Sequence, residues 1–229
     1  MCGVTHRTYV LVPGAGGAAW YWHRVVPLLQ ERGLDAIAVD LPAADDAAGL
    51  SEYADVIAAA GRGHDEVVVV AQSMGGFSAP LACDRLKATS LILVNAMIPK
   101  PGETGADWWK ATGQAAAQRE YDLAEGRDPD AAFDPAVSFL HDVPAEVVAS
   151  APPEQPQSGT PFEQPWPLAA WPDVPTRVIS SREDRLFPVE FQARVAEERL
   201  GIDPETVPGG HLVALSHPRE LVSLMLARC

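Results

Sequence analysis

Short, almost uninterrupted apolar runs alternate with helix-compatible stretches in the first part of the chain, and this rhythm limits the possible folds more than any other feature. Strands buried on both faces of a parallel sheet produce such runs, because neither face is left to polar residues. Strand–helix alternation is typical of right-handed βαβ crossovers. The sequence therefore predicts an α/β fold with a mostly parallel, doubly wound sheet, beginning with strands at Tyr9–Val12, Ala36–Val39, Val67–Ala71 and Leu91–Val94.

Helices are predicted between these strands at Trp20–Arg32, which ends at Gly33, and at Ser51–Arg62, where Ser51 is the expected N-terminal cap. The same rhythm returns near the end of the chain. There we predict a strand at Arg177–Ser180, a helix at Val189–Leu200, a short strand at Pro204–Val207 and a closing helix at Pro218–Ala227.

Between residues 97 and 175 the rhythm breaks, and Pro, Ala and acidic residues dominate. Short helices are predicted at Ala106–Glu120 and Pro144–Ala149, whereas the prolines of residues 151–167 argue against regular structure there. An insertion of this kind in a doubly wound sheet usually covers the strand ends where ligands bind. We therefore expect a single domain, 1–229, with a core of residues 1–96 and 176–229 and a cap over residues 97–175.

Charge and cysteine content narrow the partners and the location. Acidic residues outnumber basic ones by 31 to 17, for a formal net charge of −14, which disfavours nucleic acid and membrane surfaces as partners. No apolar run approaches the roughly 18 residues of a membrane span, and MCGVTHRTYVLV at the start lacks a signal-peptide pattern, so a cytoplasmic location is expected. Cys2, Cys83 and Cys229 suggest neither a disulfide framework nor a metal site, and Cys83 is expected to be buried. The oligomeric state stays open.

The most specific local motif is VVVVAQSMGG at residues 67–76, in which a strand runs into Ser73 and a helix-compatible stretch follows. A nucleophile elbow needs small residues two positions before and after its serine, because the turn is strained and tightly packed. Ala71, Gly75 and Gly76 meet this need, although Ala71 stands where the usual G-x-S-x-G pattern has glycine. The alternative is that Ser73 only caps the following helix.

A serine nucleophile needs a base, and the base needs an orienting acid, in the chain order Ser, acid, His for this topology. Asp184 follows the strand near Ser180, and His211 follows the strand near Val207 in a loop where two glycines permit a sharp turn. Residue type, order and context together predict a Ser73–Asp184–His211 triad.

Other residues compete for these roles. Glu183 is the alternative acid, and His217 is the alternative base, although its position before Pro218 suggests that it caps a helix. The remaining histidines are expected to lie on the surface or to have satisfied hydrogen bonds: His6, His23, His64 and His141.

The glycine-rich loop in VLVPGAGGAAWYW, residues 10–22, has two interpretations. In an acyl-transfer site the N–H of Ala15, or of Gly16, forms an oxyanion hole with that of Met74. Alternatively, Gly14–Ala19 fits the G-x-G-x-x-A dinucleotide pattern, with Asp40 as the ribose-binding acid of an NAD(P)-dependent oxidoreductase. The second interpretation leaves the triad residues unexplained, and the sequence favours the first.

Four segments of this chain, PGAGGAAWYW, QSMGG, REDRLFP and GGH, resemble the α/β-hydrolase fold superfamily, and in particular the branch of plant methyl esterases, hydroxynitrile lyases and small bacterial esterases. The resemblance implies a helical cap inserted after the sixth strand and ester hydrolysis through an acyl-enzyme, with no cofactor or metal. Pro13 replaces the histidine usual in this branch. Gly14 and Leu212 replace the threonine and lysine typical of hydroxynitrile lyases, which disfavours lyase chemistry.

The expected substrate is a small, largely apolar molecule with an ester or related acyl bond, and thioesters, lactones and activated amides stay open. A non-catalytic small-molecule receptor on the same fold is a further alternative. The expected substrate pocket is lined by one glycine and several aromatic side chains, although some of the tryptophans could instead pack the cap onto the core. Its residues are Gly16, Trp20, Trp22, Phe77, Trp108 and Trp109.

Overall fold

A computed structural model describes residues 7–153 and 155–227, so the predictions for Cys2, His6 and Cys229 concern residues outside it. Six strands form one sheet in the order β2-β1-β3-β4-β5-β6, and every neighbouring pair is parallel. All six predicted strands are present, which confirms the predicted parallel sheet. The strands are β1 (Arg7–Val12), β2 (Asp35–Ala38), β3 (Glu66–Gln72), β4 (Ser90–Val94), β5 (Thr176–Ser181) and β6 (Glu205–Val207).

The strand order reverses between β1 and β3, because the chain moves outward from β1 to β2 and then adds β3 to β6 on the other side of β1. Ligands of open parallel sheets bind at the carboxyl ends of the strands at such a reversal point. The glycine-rich loop follows β1 and Ser73 follows β3, so both predicted site segments start at this point.

The helices of the core pack on both faces of the sheet. They are α1 (Val26–Gln30), α2 (Leu50–Ala60), α3 (Gly75–Leu86), α9 (Val189–Leu200), α10 (Val213–Ser216) and α11 (Pro218–Leu226). The single helix predicted at Trp20–Arg32 is wrong: a 3₁₀ helix at Ala19–Trp22 precedes α1, which starts with Pro27 in its first turn, where a missing N–H is tolerated. Ser51 is not the cap of α2, because Gly49 holds that position and donates its N–H to the Glu52 carboxylate at 2.9 Å.

Residues 97–175 are hereafter called the insertion, and five helices lie in its described part: α4 (Gly105–Thr112), α5 (Gln114–Ala124), α6 (Pro135–Ser138), α7 (Ala145–Ala149) and α8 (Thr160–Glu163). The helix predicted at Ala106–Glu120 is broken by Gly113, whose φ of +66° is left-handed. α8 lies in the stretch predicted to be irregular. A helix can form there because Pro161 lies in its first turn, where a missing N–H is tolerated. The insertion follows β4, the fourth strand of this sheet rather than a sixth.

Alternating side chains of the strands fill two apolar cores, one on each face of the sheet. Val10 and Val69 belong to one core, which includes Trp108 of the insertion, whereas Leu11 and Val70 belong to the other. Cys83 is buried in the first core, as predicted. Over the described ranges, no helix is both long enough and apolar enough to cross a membrane.

Candidate active site

Ser73 occupies a strained turn between β3 and α3. Its φ of +51° lies in the left-handed region, which non-glycine residues rarely adopt. A Cβ atom on Gly76 would lie 1.8 Å from the carbonyl oxygen of Met97, and one on Gly75 would lie 3.0 Å from that of Pro13. These glycines therefore let two backbone segments approach the turn closely. The N-cap position of α3 is Met74, with no side-chain cap bond, so Ser73 does not act as the cap of this helix.

Ser73, His211 and Asp184 form one continuous chain of hydrogen bonds. The distance from Ser73 Oγ to His211 Nε2 is 3.0 Å, and that from His211 Nδ1 to Asp184 Oδ2 is 2.8 Å. His211 and Asp184 are both buried. Because a carboxylate only accepts hydrogen bonds, the proton of a neutral imidazole resides on Nδ1, which leaves Nε2 to accept from the serine hydroxyl.

The Asp184 carboxylate is held by the turn that follows β5. Its Oδ1 atom accepts the N–H groups of Leu186 and Phe187 at 2.9 and 2.8 Å. Its Oδ2 atom, which faces the imidazole, also lies 3.4 Å from Nε2 of Gln192 on α9. The two oxygens thus have different partners, and the carboxylate has one orientation.

Buried amide side chains hold the backbone of the His211 loop. Asn95, at φ +45° after β4, donates to the carbonyl of His211 at 3.1 Å and accepts the N–H of Ser181 at 2.8 Å. Gln72 at the end of β3 donates to the same His211 carbonyl at 3.3 Å. Sequence reasoning missed both residues, although a polar residue ending a buried apolar strand is a usable signal.

Two phenylalanine rings flank the imidazole of His211. The ring centroid of Phe139 lies 5.3 Å from that of His211, and the centroid of Phe187 lies 5.1 Å away in an edge-on arrangement. Phe187 belongs to the loop that carries Asp184, whereas Phe139 comes from the insertion. Neither residue was predicted, and no local pattern marks Phe139 as part of the site.

The competing residues have other roles. Glu183 accepts the N–H of Gly209 instead of facing the imidazole. His217 occupies the N-cap position of α11, as predicted, but its side chain makes no cap bond, because its Nδ1 atom faces Ser216 Oγ at 3.0 Å.

Two of the remaining histidines behave as predicted and one does not. His23 and His64 have hydrogen-bond partners at 2.8 and 2.9 Å. His141 differs from both, since its Nε2 atom is buried and has no hydrogen-bond partner within residues 7–153 and 155–227. Burial lowers the pKa of His141 below its usual value, with Asp142 opposing and Arg185 reinforcing this effect.

The glycine-rich loop lies directly beside Ser73. A Cβ atom on Gly14 would lie 2.8 Å from Cβ of Ser73, so only glycine permits this approach. Over the part of the chain that the structure describes, the N–H groups of Ala15 and Met74 donate to no protein acceptor, whereas the N–H of Gly16 donates to Gln157 Oε1 at 2.9 Å. Of the two candidate donors in this loop, Ala15 is therefore the available one.

The dinucleotide interpretation of this loop does not fit the geometry. Asp40 accepts the N–H of Ala19 at 2.7 Å, so its carboxylate already caps the loop. The loop leads into the 3₁₀ helix Ala19–Trp22 and not into an α-helix whose N-terminus could bind a pyrophosphate.

Three of the six predicted pocket residues lie in the cores. Trp22 and Trp108 are 0% exposed and Phe77 is 1% exposed, so they present no surface to a substrate in this structure. Complete burial of such large apolar rings stabilises the fold more than partial burial at a pocket wall would. Gly16, Trp20 and Trp109 are partly exposed, and the Trp109 ring lies 5.5 Å from that of Phe187.

Comparison with known proteins gives a consistent result. The profile of the alpha/beta hydrolase family matches residues 9–224. Probable esterase PIR7A from Oryza sativa subsp. indica is 36% identical over 110 residues, 42% of this chain and 41% of that protein. Methylesterase 7 from Arabidopsis thaliana is 34% identical over 106 residues, 41% of each chain, so this chain matches less than half the length of these relatives.

A pyrethroid hydrolase from Sphingobium faniae JZ-2 has the same fold, with a TM-score of 0.76, 22% identity and coverage of 97% of both chains. The esterase and methylesterase relatives agree with the branch that the sequence resembles. Because the family profile spans nearly the whole chain, the protein belongs to the alpha/beta hydrolase family.

Proposed function

We propose that this protein is a serine hydrolase that cleaves a carboxylic ester of a small, largely apolar molecule. The observation that carries the proposal is the unbroken hydrogen-bond chain from Ser73 through His211 to Asp184, with Ser73 on a strained turn. The names of the relatives, an esterase and a methylesterase, support an ester as the substrate.

In the proposed acylation step, Ser73 Oγ attacks the ester carbonyl while its proton passes to Nε2 of His211. The negative charge that develops on the carbonyl oxygen is stabilised by the N–H groups of Ala15 and Met74. Asp184 stabilises the imidazolium that forms. The imidazolium then protonates the leaving alcohol, and an acyl-enzyme remains on Ser73.

Deacylation repeats this sequence with water as the nucleophile. His211 takes a proton from the water, the same two N–H groups stabilise the second oxyanion, and the proton returns to Ser73 as the acid leaves.

We propose that the insertion acts as a cap over this site and forms part of the substrate pocket. Phe139 contacts the imidazole and also packs against Phe133, which is 61% exposed, with ring centroids 5.5 Å apart. Partly exposed Trp20 and Trp109 add aromatic surface near the loops of the site. This apolar lining favours an aromatic or aliphatic acyl or alcohol group.

The test is hydrolysis of p-nitrophenyl esters, from acetate to dodecanoate, by the wild type and by Ser73→Ala. We expect the variant to lose at least about 10⁴ in kcat, because the nucleophile is absent. Ser223→Ala, which removes an exposed hydroxyl on α11, is the matched control and should hydrolyse at the wild-type rate. Equal rates for the wild type and Ser73→Ala would refute Ser73 as the nucleophile, and a single slow turnover with retained ligand would indicate a receptor instead.

A further inference from the structure

Two carboxylates that do not belong to the hydrogen-bonded set of Ser73, His211 and Asp184 bind the loop that carries His211. Glu183 accepts the N–H of Gly209, and Oδ2 of Asp142 accepts the N–H of Gly210 at 2.7 Å. Consecutive backbone donors immediately before His211 are therefore both bound by charged acceptors. Such charge-assisted bonds are roughly twice as strong as bonds between neutral groups.

The two carboxylates come from different parts of the fold. Glu183 adjoins Asp184 on the loop after β5, whereas Asp142 lies in the insertion between α6 and α7. The bond from Gly210 to Asp142 therefore links the insertion directly to the residue before His211. It joins residues that are 68 positions apart in the chain.

The glycine at position 210 fits this contact and not a special backbone conformation. Gly209 has a φ of +107°, but Gly210 has no positive φ, so another residue could adopt its backbone angles. A Cβ atom at Gly210 would nevertheless lie 2.8 Å from Asp142 Oδ1 and 2.7 Å from His141 Nε2. Gly210 thus leaves the space that the Asp142 carboxylate occupies.

Asp142 is well shielded from solvent, with 15% of its side chain exposed. The imidazoles of two histidines are close to it, at 4.0 Å for His141 Nε2 and 3.7 Å for His217 Nδ1. Asn95 and Gln72 donate hydrogen bonds to the carbonyl of His211 in the same loop. The loop is therefore held on its N–H side by carboxylates and on its carbonyl side by amides.

We propose that Asp142 is a positioning residue for His211, which sets the imidazole against Ser73 and couples the position of the insertion to the reaction. The proposal rests on the proposed serine hydrolase function. Without Asp142, the N–H of Gly210 loses its acceptor and the loop can shift. Displacement of a reacting group by about 1 Å can cost on the order of 10²-fold in rate.

Four variants test this role: Asp142→Ala, Asp142→Asn, Gly210→Ala and the double variant Asp142→Ala/Gly210→Ala. We expect Asp142→Ala to lower kcat about 10- to 100-fold with KM changed less than about 3-fold, because alignment and not substrate binding is impaired. Asp142→Asn keeps an acceptor oxygen and should recover most of kcat. Gly210→Ala displaces the same carboxylate, so the double variant should be no worse than about 3-fold below the poorer single variant.

Asp173→Ala, which removes an exposed acid of the insertion, is the matched control and should retain the wild-type kcat. The second readout is the low-field proton resonance of the His211–Asp184 hydrogen bond, which does not depend on turnover. We expect this resonance to shift or broaden in Asp142→Ala and in Gly210→Ala, and to be restored in Asp142→Asn. If Asp142→Ala does not fold, Gly210→Ala carries the test.

Three results would overturn the proposal. The first is a kcat of Asp142→Ala within about twofold of wild type together with an unchanged resonance. The second is a raised KM of Asp142→Ala at constant kcat. The third is a double variant in which the losses of kcat of the two single variants multiply. Ser73→Ala separates this inference from the proposed function. If Ser73→Ala is inactive while Asp142→Ala behaves as wild type, only the positioning role of Asp142 fails. If Ser73→Ala is active, the proposed hydrolase mechanism fails, and the proton resonance alone decides the role of Asp142.

Discussion

Asp184→Asn changes one atom of the proposed triad, and the surroundings of Asp184 determine how the new amide must lie. Two backbone N–H groups, those of Leu186 and Phe187, point at the Oδ1 position from 2.9 and 2.8 Å. An amide NH₂ there would face these two close donors, whereas at the Oδ2 position it would face the single, more distant Gln192 amide at 3.4 Å, so the amide oxygen takes the Oδ1 position. The NH₂ group therefore occupies the Oδ2 position, 2.8 Å from Nδ1 of His211.

A donor at that position forces the imidazole to carry its proton on Nε2, because Nδ1 must then accept. His211 in this tautomer cannot take the proton of Ser73. We expect kcat to fall by about 10⁴, which corresponds to about 5 kcal/mol of transition-state stabilisation. The fold should persist, since the two hydrogen bonds to the Oδ1 position are kept.

The assay is steady-state hydrolysis of a short-chain p-nitrophenyl ester, with the background measured on Ser73→Ala and the melting temperature followed by circular dichroism. Asp173→Asn makes the same chemical change at an exposed position and should match the wild type. A kcat of Asp184→Asn within about tenfold of wild type, in a folded protein, would refute the tautomer argument and reopen the assignment of the acid.

Two further predictions concern stability. Gly76→Ala should lower the free energy of unfolding by about 1–3 kcal/mol or more in chemical denaturation, because the new Cβ would lie 1.8 Å from the Met97 carbonyl oxygen. The control is Gly159→Ala, since Gly159 has a φ of −70° and its Cβ would meet only the tip of a flexible glutamate. Equal stability of the two variants would contradict the packing argument. Burial holds the pKa of His141 in the folded protein below its value in the unfolded chain. Below about pH 6.5 the unfolded chain therefore binds more protons than the folded one, so the free energy of unfolding falls as the pH drops from 7.5 towards 5. His141→Asn should flatten this part of the stability curve, and an unchanged slope would show that His141 does not contribute.

The elements of the sheet and the strained turn at Ser73 were predictable because their signals are local. A strand buried on both faces must be apolar at successive positions, so Val67–Ala71 marked β3 without reference to the rest of the chain. The turn at Ser73 needs small neighbours for steric reasons, and Gly75 and Gly76 supply that signal within a few residues. The order of Ser73, Asp184 and His211 follows from the topology of the sheet in the same way.

Helix boundaries in the insertion were less predictable, because single residues decided them against an otherwise helical pattern. Gly113 divides the stretch predicted as one helix, since it adopts a left-handed conformation that ends the first helix. Pro161 allows a short helix in a proline-rich stretch because it lies in the first turn.

Tertiary structure decided which residues surround the proposed triad. The sequence by itself determined the parallel sheet, the elbow and the three residues proposed for chemistry, because each depends on a local pattern or on chain order. It did not reveal that Trp22 and Trp108 lie in the cores, or that Phe139, Asn95 and Asp142 reach His211 or its loop. Those contacts join segments far apart in the chain, and their distances depend on how the insertion packs against the sheet, which no local periodicity encodes.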